Sequence, residues 1–308
     1  MPPPCRTPIA LAVYGGLAVC ALPVCADEGD SAWRLFVADH TAPAVTVLDL
    51  GEAGKSWTFG VDGPAKLYAT PSRKVVVAVQ SDHDSVAFFR SGIWLDTHGD
   101  HADIEVGDPA AIEGSLEGPR PFHVVMRDDV VAINFDKGGH AMLLREDEIL
   151  EGDLGGSTFP QNRAHHGFAT PIGDYVVSSV ASTEPTEGDA APRIGIQAFS
   201  AAGEPIGEMQ TCTDLHGEAF SGAYLLAGCK EGVVAVRDGG DAPEFAMLPY
   251  PAEFPEGHTG TLLGSAAMQI FLGNYGADSV VVIDPTAEPY FTRVELPFRR
   301  VDFILDPA

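Results

Sequence analysis

The sequence predicts an all-β protein, a β-propeller of six or seven blades. Three observations carry this expectation. Strand-like runs are short and bounded by Gly, Pro, Asp and Asn, and almost no stretch keeps a helical period for long. A Pro/Gly/His-containing lead-in precedes each hairpin-like pair. The histidines of four successive lead-ins, His123, His166, His216 and His258, stand 43, 50 and 42 residues apart, which is the blade period of a propeller.

The chain begins with a leader. Arg6 supplies a positive charge, Ile9 to Ala26 is apolar, and Val24-Cys25-Ala26 is followed at once by Asp27, Glu28 and Asp30. A charged start, an apolar centre and small residues at the cleavage positions make a secretory signal, so residues 1–26 are expected to be removed near Ala26. The run is interrupted by Pro23 and falls short of the ~20 apolar residues a membrane span requires. Cys20 and Cys25 follow Val19 and Val24, where lipid attachment favours a small residue. The expectation is an exported periplasmic protein, with 27–308 forming a single propeller domain, a monomer, and no membrane span after signal removal. Cys5, Cys20 and Cys25 leave with the leader, and Cys212 and Cys229 remain. In an oxidising compartment these two are expected to pair, closing a loop worth about 3 kcal/mol in the chain-entropy model.

Strands are expected over Leu35 to Ala38, Val45 to Leu50, Val75 to Gln80, Val86 to Arg90, Val130 to Asn134, Tyr175 to Val180, Ile194 to Phe199, Tyr224 to Ala227, Val233 to Arg237, Ile270 to Gly273 and Val280 to Ile283. The lead-ins are Gly63 to Leu67, Arg120 to His123, Ala164 to Gly167, Asp214 to Gly217, Glu256 to Thr259 and Leu296 to Arg299. Arg300 to Leu305 lacks a hairpin partner and Leu35 to Leu50 lacks a lead-in strand, so the N- and C-terminal strands are expected to share one blade and close the ring. Six repeats are visible; seven would follow if the stretch from Ala87 to Arg120 held another.

Eighteen Lys and Arg stand against 44 Asp and Glu, for a formal net charge of −26. That balance argues against nucleic acid and anionic membrane as partners and favours cations or a basic protein surface. The repeat then makes the histidines informative, because one position in successive blades lies around a common axis. A lone lead-in His is more often a structural residue; four at one blade position suggest a ring. A second cluster, Asp96-Thr97-His98-Gly99-Asp100-His101-Ala102-Asp103, alternates imidazole and carboxylate. Such a donor set suits Zn²⁺, which takes four ligands tetrahedrally with Zn–N bonds of about 2.0 to 2.1 Å. The expected ligands are His101, His123, His166 and His216, with His98, Asp100 or Asp103 as substitutes or as outer partners that accept the free imidazole N–H. His258 is left open. His166 is preferred to His165 because it precedes Gly167 as His216 precedes Gly217.

At these residues the chain resembles the AztD-type periplasmic zinc metallochaperones. The resemblance lies in Ser91-Gly92-Ile93 leading to the His98 to Asp103 cluster, in His165-His166-Gly167, in Leu215-His216-Gly217-Glu218-Ala219 between the two cysteines, and in Gly260 to Gly264 with Gly273-Asn274-Tyr275-Gly276. It implies a β-propeller that passes Zn²⁺ to the solute-binding protein of a zinc ABC transporter, and no catalysis. One departure is that Asp27 to Trp33 holds no His, whereas some family members carry a His-rich N-terminal arm, which puts an arm-dependent transfer step in doubt. Two other classes compete. A metal-dependent hydrolase or lactonase propeller would use Glu218 or Asp214 as general base, but no Gly-x-Ser-x-Gly nucleophile motif and no nucleotide loop is present. No Cys-x-x-Cys-His haem attachment motif occurs either. The third class is an interaction propeller with structural histidines.

Overall fold

The alternation of apolar run and turn former resolves into antiparallel meanders, each built from strands consecutive in sequence. A computed structural model describes residues 31–98, 101–186 and 191–305. Contacts divide the chain into the units Met1–Ser31 and Ala32–Ala308, and the second is described below. The expected leader with its cleavage point, and Asp100, lie outside the described residues.

The first sheet has three strands, β1 (Arg34–Asp39), β2 (Ala44–Asp49) and β3 (Ser56–Gly60). The second contains β4 (Lys66–Ala69), β5 (Val75–Gln80) and β6 (Ser85–Arg90). After β6 a separate hairpin, β7 (Ile93–His98) with β8 (His101–Val106), intervenes before the short β9 (Ala110–Ala111) and β10 (Leu116–Glu117) return to pair with β6. Four four-stranded meanders follow. The third sheet is β11 (Pro121–Arg127), β12 (Val130–Phe135), β13 (His140–Arg145) and β14 (Ser157–Pro160), with one short helix, α1 (Glu146–Glu151), after β13. The fourth is β15 (Ala169–Ile172), β16 (Tyr175–Ala181), β17 (Arg193–Ser200) and β18 (Pro205–Thr211). The fifth is β19 (Glu218–Ser221), β20 (Tyr224–Gly228), β21 (Gly232–Asp238) and β22 (Pro243–Pro249). The sixth is β23 (Leu262–Leu263), β24 (Phe271–Tyr275), β25 (Ser279–Ile283) and β26 (Phe291–Glu295). Every run expected to be a strand lands on one, to within two residues at its ends.

The core lies between neighbouring sheets. Val75, Val77 and Phe88 of the second sheet pack with Val131, Ile133, Phe135 and Leu144 of the third. Val177 and Ile196 of the fourth pack with Leu225, Val234 and Val236 of the fifth. All six residues of β5 are buried, because both faces of a middle strand are covered by neighbouring sheets. Each such Val, Ile or Phe contributes about 1.5–3 kcal/mol on burial, so the stacking of sheet on sheet supplies most of the cohesion. First strands of different sheets also meet: β11 touches β15 and β19, and β19 touches β23.

Two expectations take a different form. The stretch from Ala87 to Arg120 holds the β7–β8 hairpin, paired residue for residue from Ile93↔Val106 to His98↔His101, and, among the described residues, no further four-stranded sheet. Residues 301–305 form no strand among the described residues, and β1 pairs with β2 alone. Arg300 instead donates its backbone N–H to Ala277 O at 2.9 Å, while Val301 and Ile304 stay 92% and 87% exposed. No helix among the described residues is long and apolar enough to cross a membrane.

Cys212 and Cys229 are disulfide-bonded, with Cα atoms 5.0 Å apart. The bridge ties the lead-in of the fifth sheet to the end of β20. Lys230 N–H to Thr213 O (2.9 Å) and His216 N–H to Gly228 O (3.0 Å) fasten the same loop.

Candidate metal centre

Three lead-in histidines converge where the first strands of the third, fourth and fifth sheets begin. His123 lies on β11, where the register against β12 shifts between Pro121 and Val124. An irregularity of this kind re-aims a side chain out of the strand's alternation. His166 and His216 sit in the loops before β15 and β19, each followed by a glycine that the packing demands. A Cβ on Gly167 would stand 2.1 Å from Ser179 Oγ. Gly217 has a φ of +75°, and a Cβ there would stand 2.6 Å from Gly260 O.

The ring centroids lie 4.5 Å (His123–His166), 5.2 Å (His166–His216) and 6.0 Å (His123–His216) apart. His123 Nε2 and His166 Nε2 are 3.0 Å apart. The opposite nitrogens point outward: His123 Nδ1–H donates to Glu218 Oε1 (2.8 Å), His166 Nδ1–H to Asp136 Oδ2 (2.6 Å) and His216 Nδ1–H to Gly260 O (2.7 Å). Asn134 Nδ2 donates to the other Asp136 oxygen at 2.9 Å, and Phe122 packs edge-on against His166. Holding Nδ1 in this way leaves Nε2 as the atom offered to a metal.

Two ligands on a tetrahedral ion with bonds of about 2.0 to 2.1 Å stand roughly 3.3 Å apart, close to the separation of the His123 and His166 pair. A contact between two such nitrogens needs one shared proton, and a cation that displaces it would take the same place. No three of the described His, Cys, Asp and Glu side chains already surround a single point that would hold a metal ion. The spacing of the pair suits two ligands of one ion, and His216 stands beside it with Nδ1 held by Gly260 O.

Burial pulls the His123 imidazole down, but the Glu218 carboxylate, by charge and hydrogen bond, together with Asp136, holds it above the usual imidazole range. Burial lowers His216, helped by the neighbouring His123 and His166 rings and opposed by its hydrogen bond to Gly260.

Other expected residues stand elsewhere. His165 is 2% exposed, donates its Nδ1–H to Arg163 O and meets Ser179 Oγ with Nε2, and burial lowers its pKa. His258 lines a separate pocket with Lys230, Tyr250, Phe254 and Tyr275, and its loop offers His216 the Gly260 carbonyl in place of a fourth ring. The hairpin that carries His98 and Asp103 leaves the second sheet at a different place from the lead-ins. The turn before β6 abuts the lead-in of His123, through Arg120 N–H to Asp84 Oδ1 at 2.7 Å. The hairpin leaves the other end of β6, where Arg90 bonds Leu150 O and where Arg34 bonds the hairpin-base carbonyls of Ser91 and Gly107. A strand of six residues at ~3.3 Å per residue separates the two ends. His98 Nε2 meets Asp103 there at 2.9 Å, and of His101 the backbone alone is described. The carboxylates that bond the lead-in rings are Glu218 and Asp136. Sequence reasoning missed Asp136, which follows β12 directly and is buried with Asn134.

No family model matches the sequence. A curated relative, the zinc chaperone AztD of Citrobacter koseri, is 38% identical over 293 residues, covering 95% of this chain and 69% of the relative. Two solved structures of Citrobacter koseri AztD, one of them apo, superpose with TM-scores of 0.83 and 0.85 at 36% identity, covering 90% of this chain and 74% of theirs. Hydrazine synthase of Kuenenia stuttgartiensis, at 12% identity, shares the fold alone, with a TM-score of 0.52 over 85% of this chain and 83% of that one.

Proposed function

Because the chain belongs to the AztD family of zinc chaperones, we propose that it captures Zn²⁺ through His123, His166 and His216 and passes it to the solute-binding protein of a zinc ABC transporter in the periplasm. One observation carries the choice of residues: two Nε2 atoms 3.0 Å apart, each on a ring whose Nδ1–H is held by a buried carboxylate. Zinc is cargo in this reading, and water or an incoming ligand fills the fourth place. Transfer follows from the acceptor's higher affinity, and no bond of a substrate need be broken. Glu218 is committed to His123, which counts against its use as a hydrolytic base.

The six sheets read as blades of a single propeller over 27–308, preceded by a cleaved leader. Leu305 lines the same cavity as Ala69, Met126, Arg127, Phe220 and Gly264, at the far ends of the first strands. This supports the C-terminal segment ending against the inner strands of the second, third, fifth and sixth sheets. His98 and Asp103 form a separate, peripheral pair on the hairpin. His98→Ala is accordingly expected to leave equilibrium zinc affinity unchanged, and a large loss in a competitive chelator titration would return the hairpin to the principal site.

The reading is tested by titrating purified mature protein with zinc and then mixing the loaded form with an apo zinc-specific solute-binding protein. One tightly held ion per chain that moves to the acceptor is expected; a chain that takes up no zinc removes the proposal. Proton competition adds a pH signature. Imidazole must be neutral at Nε2 to bind zinc, and His123 keeps its proton above the ordinary value, so affinity should begin to fall above pH ~6.5 as the solution is acidified. A flat affinity through that range would mean that carboxylates dominate the site.

A further inference from the structure

We propose that His216 is the ligand that lets go first, so that zinc leaves toward the solvent side on which this ring stands; the proposal rests on the reading of the three imidazoles as the zinc shell. The three rings are not held alike. His123 and His166 have side chains 15% and 23% exposed and are hinged on Glu218 and Asp136, whose side chains are 5% and 7% exposed. Charge-assisted hydrogen bonds are roughly twice as strong as neutral ones. Swinging either ring away would also strand a buried carboxylate without its partner. Glu218 Oε2 already lacks a hydrogen bond, so loss of His123 would leave that whole group uncompensated.

His216 differs on each count. It is exposed, and its Nδ1–H goes to the neutral Gly260 carbonyl, which water can serve equally well. Its backbone is fixed by the Cys212–Cys229 bridge, by the bond to Gly228 and by the left-handed Gly217. The freedom left is side-chain rotation. An acceptor's imidazole or carboxylate must approach from solvent, bond the ion at its open position and displace the one ring that can turn away at little cost. The carboxylate-anchored pair then releases last, which keeps the ion bound until the acceptor holds it by more than one bond.

The test compares His216→Ala and His216→Gln with His123→Ala and His166→Ala in the full mature chain, by zinc titration with and without added free imidazole. A chromophoric chelator reads the release rate. His216 variants should bind zinc more weakly than wild type, release it several-fold faster, and regain most of the lost affinity with imidazole, because the vacated place is open to solvent. His123→Ala and His166→Ala should not be rescued. Equal rescue of all three positions, or His216 variants that are unrescued and as deficient as the others, overturns the exit order while wild-type binding still stands. Wild-type protein that binds no zinc instead overturns the functional reading beneath it.

Discussion

Replacing His123 or His166 by Ala should abolish high-affinity zinc binding while the protein still folds. Each supplies half of the one pair of nitrogens already at ligand spacing, and an ion losing a rigid ligand must take water in its place. The loss should exceed the roughly 10–100-fold that removal of an outer partner typically costs. A structural penalty accompanies it, because Glu218 or Asp136 would remain buried with its ring partner gone. His123→Ala should therefore melt at a lower temperature than His216→Ala in the absence of metal. Zinc titration and thermal unfolding on the same samples check both points. An affinity equal to wild type in either variant would place the ion elsewhere.

The legible part of the fold was the middle of each sheet. The runs read as strands are mainly second and third strands, such as β5 and β6, β16 and β17, β20 and β21, and β24 and β25. These are buried between neighbouring sheets and carry nearly continuous Val, Ile and Leu. First strands such as β4 and β19 are short and half polar, and outer strands such as β26 are largely exposed, so neither keeps a hydrophobic pattern strong enough to read. Three of the four lead-in histidines meet because the lead-ins repeat in phase. His258 does not, because its loop presents Gly260 O where the repeat would have placed a ring. The hairpin shows what composition cannot supply. Its donors suit a metal, but their place depends on β6 running away from the lead-in end. Asp136 was invisible for a similar reason: it reaches His166 of the next sheet only because β12 lies beside β11.

Asp136→Ala and Glu218→Ala should each lower zinc affinity by about 10–100-fold, the usual effect of removing the group that fixes a ligand's tautomer and orientation. The isosteric variants separate orientation from charge. In Asp136→Asn and Glu218→Gln an amide oxygen can still accept the Nδ1–H, so the rings keep their direction and the loss at alkaline pH should be smaller than with Ala. Glu218→Gln has a further consequence, since the Glu218 charge and hydrogen bond help hold His123 above its ordinary range against the opposing effect of burial. Without that charge His123 gives up its proton at a lower pH, and proton competition for Nε2 weakens. The variant should bind less tightly than wild type above neutrality, yet its affinity should fall later on acidification, so that the two curves approach one another near pH ~6. A constant ratio of affinities across the whole range would show that Glu218 acts on the ion by geometry alone and that its charge does not set the protonation of His123.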